Sequence, residues 1–171
     1  MATAFTLLCT LPAARSALCE RVVAGGGVPM VDLTCAPPGI VVPSGAWVRV
    51  RSTEAVPGDG PVVVAAGSGE LGPPVPGRPT WLERTEAGPA PEGYAGVVLR
   101  GQEAGGPCGT RPGLELLRAM PADVPVLLDA GVAPGELAEV RRAGAWGVVV
   151  SDLLLGLPEL DLPPGLRARL D

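Results

Sequence analysis

The stretch "GYAGVVLRGQEAGGPCGT" (residues 93–110) joins an apolar run to a glycine-rich turn that contains a glutamate. The run at 95–99 is apolar on consecutive positions, which predicts a β-strand buried on both faces. Amides near Thr110 are expected to open a helix, with Thr110 as its cap. Four glycines between strand and helix would let the backbone approach a ligand closely: Gly101, Gly105, Gly106 and Gly109.

Seven further apolar runs along the chain also predict strands. They cover residues 5–10, 28–33, 46–50, 62–66, 80–84, 125–129 and 147–151. Helical patterns follow only some of them, at 12–24, 110–120 and 134–144, with a weaker one at 164–170. Prolines near the start of these segments and glycines after 12–24 are typical helix boundaries.

The four gaps between the second and sixth strands are short and rich in proline and glycine, and none has a helical pattern. They span residues 34–45, 51–61, 67–79 and 85–94. The order of elements predicts an α/β fold: an abbreviated (β/α)8 TIM-like barrel with helices missing after the central strands. A full barrel takes about 250 residues, so an open α/β sheet is the alternative for this chain of 171. We expect one barrel domain over 1–155, then a linker or short helix over 156–171 that can lead into a further domain.

The composition of the chain argues against several classes of function. The chain has no histidine and no lysine, so a histidine base and a lysine Schiff base are excluded. A net charge of −5 and 3% aromatic residues argue against nucleic-acid binding. No apolar run approaches the roughly 20 residues of a membrane helix, and the first residues lack the basic region of a signal peptide. We therefore expect a cytoplasmic protein without nucleic-acid or membrane partners.

The four cysteines have no CxxC spacing and match no zinc module. They are expected to be buried and reduced, with a reactive Cys108 in the glycine-rich turn as the alternative. A second glycine motif, "GSGELG" (67–72), matches GxGxxG. Prolines follow it where a dinucleotide-binding loop needs a helix, so it is predicted to be a plain loop.

Residues 93–155 resemble a family of flavin-binding barrels. The segment Gly101–Gly106, "GQEAGG", is similar to the "G-x-E-A-G-G-H" that ends the sixth strand of nitronate monooxygenase (2-nitropropane dioxygenase). The same family includes the FMN-dependent enoyl reductase barrels of fatty acid and polyketide synthases. Residues 124–132 and 138–155 resemble the family's seventh strand, the following helix and the eighth strand.

The chain departs from the family pattern at three turns. Pro107 stands where the family has a catalytic histidine. Asp129, Ala130 and Gly131 replace the seventh-strand glycine turn, and Ser151 with Asp152 replaces Gly-Thr after the eighth. Carboxylates near the FMN phosphate would repel it by about 4 kcal/mol at a separation of about 4 Å and an effective dielectric of about 20. The nearest cations that could compensate are Arg100 and Arg111.

The resemblance therefore implies no catalytic residue and no metal, and an FMN site that survives only in outline. Its vestigial contacts would be Gly101, Glu103, Gly105, Gly106, Gly131 and Ser151. A metal site made by Glu103, Asp129 and Asp152 at the carboxyl ends of the strands is a further alternative.

The expected function is a non-catalytic, pseudo-enzyme accessory domain of a polyketide or polyunsaturated fatty acid synthase, without a cofactor. Its partners would be other synthase domains or a carrier protein, or a second copy in a homodimer. The alternative is an FMN-dependent oxidoreductase of the nitronate monooxygenase or enoyl reductase type. Without helices over strands 2–5, apolar surface is expected there. Trp47 and Trp81 are assigned either to that surface, as anchors, or to the core.

Overall fold

A computed structural model describes residues 5–11, 16–36, 39–67 and 72–150. Its strands are β1 (Thr6–Leu11), β2 (Val28–Asp32), β3 (Trp47–Val50), β4 (Val62–Val64), β5 (Thr80–Arg84), β6 (Gly96–Arg100), β7 (Val126–Asp129) and β8 (Gly147–Val150). Its helices are α1 (Ser16–Ala24), α2 (Gly113–Arg118) and α3 (Leu137–Arg142), the last preceded by a 3₁₀ turn at Pro134–Glu136. Each strand overlaps its predicted run, and the described gaps between β2 and β6 contain no helix, as predicted.

The strands close into a barrel. Each one pairs in parallel with the next in sequence, and β8 returns to pair with β1. The closing register sets Thr6 against Gly147 and Leu8 against Val149. An all-parallel closed sheet with helices after β1, β6 and β7 confirms the abbreviated barrel and excludes the open sheet.

Alternate side chains of every strand point into the barrel, because successive residues of a strand face opposite sides. One layer of the interior takes a single apolar residue from each strand: Leu8, Met30, Trp47, Val63, Trp81, Val98, Leu127 and Val149. The two tryptophan rings meet with centroids 5.6 Å apart. Packing in the core, one of the two roles considered for Trp47 and Trp81, is confirmed.

Gly96 makes room for the larger of these side chains. A Cβ at this position would lie 2.5 Å from Cζ3 of Trp81 and 2.5 Å from the carbonyl oxygen of Pro125. Neither neighbour can yield easily, since one is an aromatic ring in the core and the other is backbone. The glycine that begins β6 is therefore a packing requirement of the interior.

Helices cover the outside of the barrel along β6, β7 and β8. Leu116 and Leu117 of α2 and Val140 of α3 pack on outward side chains of these strands, among them Val97 and Leu128. We call this the helix-covered side. Next to it, Leu18 and Cys19 of α1 cover Leu11 and Val31.

On the outside of β3 and β4, loops instead of helices cover the strands. This corrects the expectation of exposed apolar surface there. The outward residues Val48 and Val62 are 0% exposed. Val48, Val50 and Val62 form a cluster with side chains of the flanking loops, including Val42, Val56 and Val75. We call this the loop-covered side. The proline-rich connections bury it without forming a helix.

Hydrogen bonds fasten these loops to one another. The carboxylate of Asp59 accepts the Gly45 amide at 2.7 Å and the Ser44 hydroxyl at 2.8 Å. The guanidinium of Arg78 donates to the carbonyl oxygens of Gly60 at 2.6 Å and Val56 at 3.1 Å. The Tyr94 hydroxyl donates to the Gly72 carbonyl at 2.9 Å. Each bond links one connection to the next around the barrel, so the described parts of these loops are tied to one another.

Two local predictions were wrong. Helix α2 begins at Gly113 after Pro112, and no side chain caps it from the flanking position, so Thr110 is not its cap. All four cysteines are free, but only Cys9 and Cys19 are buried; Cys35 and Cys108 are exposed. Burial raises the pKa of both the Cys9 and the Cys19 thiol.

The predicted helix at 164–170 and the linker over 156–171 lie outside the described residues. Among the helices that are described, none combines the length and the apolar character needed to cross a membrane.

Candidate functional site at the barrel mouth

A ring of charged side chains occupies the carboxyl end of the barrel. They lie two residues beyond the apolar interior layer on five strands, so they also point inward. Together with Thr10 of β1, they line a cavity of about 300 Å³: Asp32, Arg49, Glu83, Arg100 and Asp129. In barrels of this type the carboxyl ends of the strands are where functional sites lie. We call these five residues the mouth cluster.

Arg49 is the best-paired member of the mouth cluster. Its Nε and Nη2 atoms donate to the two carboxylate oxygens of Glu83 at 2.6 and 2.9 Å, a bidentate pair. Its Nη1 donates to Asp32 Oδ2 at 2.9 Å and to Thr34 Oγ1 at 3.4 Å. Burial lowers the pKa of Arg49, but the hydrogen bonds and charges of Glu83 and Asp32 outweigh burial and raise it overall. Arg49 is thus held as a cation between two acids.

Glu83 joins the two arginines. Its side chain is 2% exposed, and beside Arg49 it accepts the Ala66 amide at 3.0 Å and Arg100 Nη1 at 3.4 Å. A buried carboxylate is tolerated when charges and hydrogen bonds surround it in this way. Removing Glu83 would leave the buried Arg100 and the partly buried Arg49 without their shared acid.

Arg100 is paired less completely. Its Nη2 donates to the carbonyl oxygen of Gly105, and its Nη1 reaches Glu83. Its Nε lies 3.2 Å from Asp129 Oδ2 but is buried and makes no hydrogen bond. Asp129, expected to repel an anionic cofactor, therefore has a cation beside it. Arg111, the other compensating candidate, instead pairs with Glu115 on the surface.

A second, larger cavity adjoins the first. It has a volume of about 620 Å³ and is lined by residues after β2, β3 and β4, among them Thr34, Cys35 and Arg51. Arg49 and Pro107 line both cavities. Pro107, at the position where the resemblance considered from the sequence would place a histidine, therefore lies at the mouth, where it offers no group that can exchange a proton.

The glycines of the turn after β6 divide into two kinds. A Cβ on Gly101 would lie 2.6 Å from the backbone of Gly113, and one on Gly109 would lie 2.8 Å from the carbonyl oxygens of Thr85 and Arg100. These two glycines allow contact between protein segments. Gly105 and Gly106 instead line the 300 Å³ cavity. Only this pair can bring backbone against a ligand at the mouth.

Glu103 faces away from the mouth cluster. Its Oε2 accepts the amide of Gly113 at the start of α2, at 3.1 Å. It lines a separate cavity of about 90 Å³ between the β6 and β7 turns and the helices that follow. Gly131 lies beside it, since a Cβ there would be 3.5 Å from the Glu103 Cβ. Of the predicted cofactor residues, Gly105 and Gly106 line one cavity and Glu103 lines the other, whereas Gly101 and Gly131 are not among the residues that line either. Ser151 lies outside the described residues.

This smaller cavity is where the turn after β7 would present its amides to an FMN phosphate. Three glutamates line it: Glu103, Glu136 and Glu139. Glu136 already accepts the Ala133 amide at 2.8 Å, and Glu139 pairs with Arg118 at 2.8 Å. A phosphate dianion would enter next to three carboxylates in a space of about 90 Å³. The described residues do not fit this group.

The acidic metal site considered from the sequence is not assembled by the described residues. Glu103 and Asp129 line different cavities, and Asp152 lies outside the described part of the chain. Within that part, no three His, Cys, Asp or Glu side chains gather as a metal-binding group.

The sequence reasoning missed Asp32, Arg49 and Glu83. Each is a charged residue at or next to the end of an apolar strand, in "VPMVD", "WVRV" and "TWLER". "GVVLR" and "VLLD", which end in Arg100 and Asp129, repeat this pattern. Charges that recur at the carboxyl ends of buried parallel strands were the available signal.

Comparison with solved structures shows the fold and goes no further. Thiamine phosphate pyrophosphorylase from Pyrococcus furiosus superposes with a TM-score of 0.62 at 15% identity, over 92% of this chain and 90% of that one. No protein-family model matches the chain, and no curated protein does. The class defined is therefore a TIM-like barrel protein with a charged, internally paired mouth.

Proposed function

We propose that the chain is a non-catalytic barrel domain with an accessory role in a larger synthase system. The observation that carries the proposal is the pairing of the mouth cluster. Glu83 and Asp32 are engaged by Arg49, and Arg100 stands beside Asp129. A carboxylate whose oxygens already contact an arginine has fewer free acceptor positions with which to take a proton from a substrate. The chain has no histidine and no lysine, so neither of these bases is available.

The acid-lined cavity beside the β7 turn also supports this proposal, because it disfavours the phosphate by which a flavin nucleotide would be held. The accessory role in a polyketide or polyunsaturated fatty acid synthase rests on the resemblance of residues 93–155 to the flavin barrels of such systems. The proposed partners are a carrier protein or a neighbouring synthase domain.

The second candidate is an FMN-dependent oxidoreductase. The position of Gly105 and Gly106 at the cavity favours it, since the resemblance places flavin contacts at these two glycines. In that case FMN would supply the redox chemistry, and Gly105 and Gly106 would contact it. The three glutamates beside the β7 turn argue against this candidate, because they disfavour binding of the FMN phosphate.

Titration with FMN separates the two candidates. Flavin fluorescence and the absorbance spectrum of the purified chain are recorded against increasing protein concentration. The accessory domain should carry no flavin and should not quench FMN fluorescence at concentrations up to about 1 mM. Its binding free energy for FMN would then be weaker than about −4 kcal/mol. A micromolar dissociation constant would reject the non-catalytic proposal. The double variant Glu136→Gln, Glu139→Gln serves as the control, because it removes two of the charges held to oppose phosphate.

The synthase association has its own test. A ¹⁵N-labelled sample is titrated with an acyl carrier protein in its phosphopantetheinylated form, and amide shifts are followed. Saturable shifts confined to one surface would support the association. If neither the carrier protein nor the neighbouring synthase domains change the spectrum of the labelled chain, the association is rejected. The flavin titration would still test separately whether the domain is non-catalytic.

A further inference from the structure

We propose that the mouth of the barrel binds a small zwitterion, a molecule with one carboxylate and one ammonium group like a free amino acid. The proposal does not depend on the accessory role, because a barrel without a catalytic base can still hold a ligand. It rests on the unsatisfied donors of Arg100, on the charge of the mouth cluster and on the cavity between them.

Arg100 supplies the first part of the recognition. A guanidinium has five N–H groups, and those of Arg100 make two hydrogen bonds, one to Glu83 and one to Gly105. Its side chain is 6% exposed and lines the cavity. Its Nε is buried against Asp129, so the donors that a ligand could reach are those on Nη1 and Nη2. Buried donors in proteins are nearly always satisfied by protein, water or ligand. A carboxylate matches the planar fork of an arginine.

The acids of the mouth cluster supply the second part. Three carboxylates, those of Asp32, Glu83 and Asp129, line the cavity together with only two guanidinium groups, those of Arg49 and Arg100. A simple anion would add to this excess of negative charge, and a simple cation would leave the Arg100 donors without acceptors. A zwitterion avoids both costs when its carboxylate meets Arg100 and its ammonium faces Asp32 or Asp129. Each carboxylate has several acceptor positions, so existing pairs need not break.

The cavity limits the size of the ligand. Its volume of about 300 Å³ is at the lower end of the range of about 300–1,000 Å³ that is usual for ligand sites. Met30 gives it an apolar wall, and Gly105, Gly106 and Pro107 form part of its rim. A molecule with a short apolar side chain beside its charged groups fits this lining.

The test uses isothermal titration of the purified chain with the common amino acids one at a time, and with acetate and methylammonium as the two halves of the ligand. At least one small amino acid should bind with a dissociation constant of about 1 mM or tighter. Each half alone should bind at least about tenfold more weakly. Failure of every amino acid to bind, or equal binding by acetate alone, would overturn the proposal.

Arg100→Lys is the decisive variant, because it keeps the charge and removes the fork. It should weaken amino-acid binding by about tenfold or more. Arg118→Lys is the matched control: Arg118 also pairs with a glutamate, Glu139, but on the surface, and its change should leave binding unaltered. Unchanged binding in Arg100→Lys would overturn the assignment.

A readout in the unmodified protein covers the case in which Arg100→Lys does not fold. The side-chain Nε–H signals of the arginines are followed by NMR while the amino acid is added. The Arg100 signal should shift more than any other and saturate with the same dissociation constant. A larger shift at a surface arginine would place the ligand elsewhere and reject the site.

Discussion

The helix-covered and loop-covered sides of the barrel reach the same burial by different means. On the helix-covered side, leucines of α2 and a valine of α3 seal the outer residues of β6 to β8. On the loop-covered side, Val48 and Val62 are buried as completely under segments without regular structure. The apolar outer face of a barrel strand therefore needs a cover. A loop can provide it when the polar groups of the loop backbone have hydrogen-bond partners.

The two sides differ in what holds the cover in place. The helices are held on the barrel by apolar side chains, among them Leu116, Leu117 and Val140. The loops depend on side chains that bond backbone, chiefly Asp59 and Arg78. The mouth cluster joins the two sides, because Arg49 and Glu83 come from β3 and β5 whereas Arg100 and Asp129 come from β6 and β7.

Breaking the mouth cluster should have the largest effect on stability, since it couples both sides. Glu83→Ala leaves Arg49 and Arg100 without their shared acid and should lower the free energy of unfolding by about 3–5 kcal/mol. Urea unfolding measures this. Glu139→Ala, which breaks an exposed pair with Arg118, should cost about 0–1 kcal/mol. Similar losses in both variants would show that the mouth cluster is not a stabilising link.

Matched valine truncations compare the two covers directly. Val48→Ala on the loop-covered side and Val97→Ala on the helix-covered side remove the same atoms from positions that are both 0% exposed. Each should cost about 1.5–3 kcal/mol in thermal or urea unfolding. Val41→Ala, at an exposed position, is the control and should cost little. A much smaller loss at Val48 would mean that the loop cover is incomplete.

Removing a side chain that ties two loops together should affect the loop-covered side most. Arg78→Ala deletes the donors to Val56 and Gly60 and should cost about 1–2 kcal/mol. Hydrogen exchange at β6 and β7 should speed up only as far as the loss of global stability requires, whereas β3 and β4 should gain a faster, local route of exchange. Arg142→Ala, at the exposed end of α3, is the comparison variant. Uniform acceleration in Arg78→Ala would remove the distinction between the two sides.

The smallest effect concerns pH. Hydrogen bonds from the Gly45 amide and then the Ser44 hydroxyl lower the pKa of Asp59. A lowered folded-state pKa gives stability that is present above the unfolded pKa of about 3.9 and is lost as pH falls through the folded value. The stability difference between wild type and Asp59→Ala should therefore shrink in acid. A difference that is constant from neutral pH into acid would show that the carboxylate charge is irrelevant.

Much of the fold could be predicted from the sequence. Strands buried on both faces appear as consecutive apolar residues, as in "GVVL" of β6, and proline-rich gaps cannot form helices. Closure was harder, because it depends on the pairing of Thr6 with Gly147 across the whole chain. The cover over Val48 was missed because loop side chains such as Val42 and Val75 carry no periodic signal.

The site was less predictable. The glycine-rich turn after β6 was predicted to approach a ligand, yet two of its glycines, Gly101 and Gly109, instead allow close contact between protein segments. The mouth cluster has no motif: its members are single charges 17 or more residues apart that only the barrel brings together. Which charge pairs with which follows from strand register, and a single sequence does not specify register between distant strands.

Native-state hydrogen exchange tests the central claim, that loops and helices seal one cooperative barrel. The amides of Val62 in β4 and Val97 in β6 are equivalent probes, because each donates to the carbonyl of the proline just before the next strand. Val62 donates to Pro79 and Val97 donates to Pro125, both at 2.9 Å. Both should exchange through global unfolding, with the same free energy and the same denaturant dependence. Exchange of Val62 through a local opening, well below the free energy found for Val97, would contradict the account.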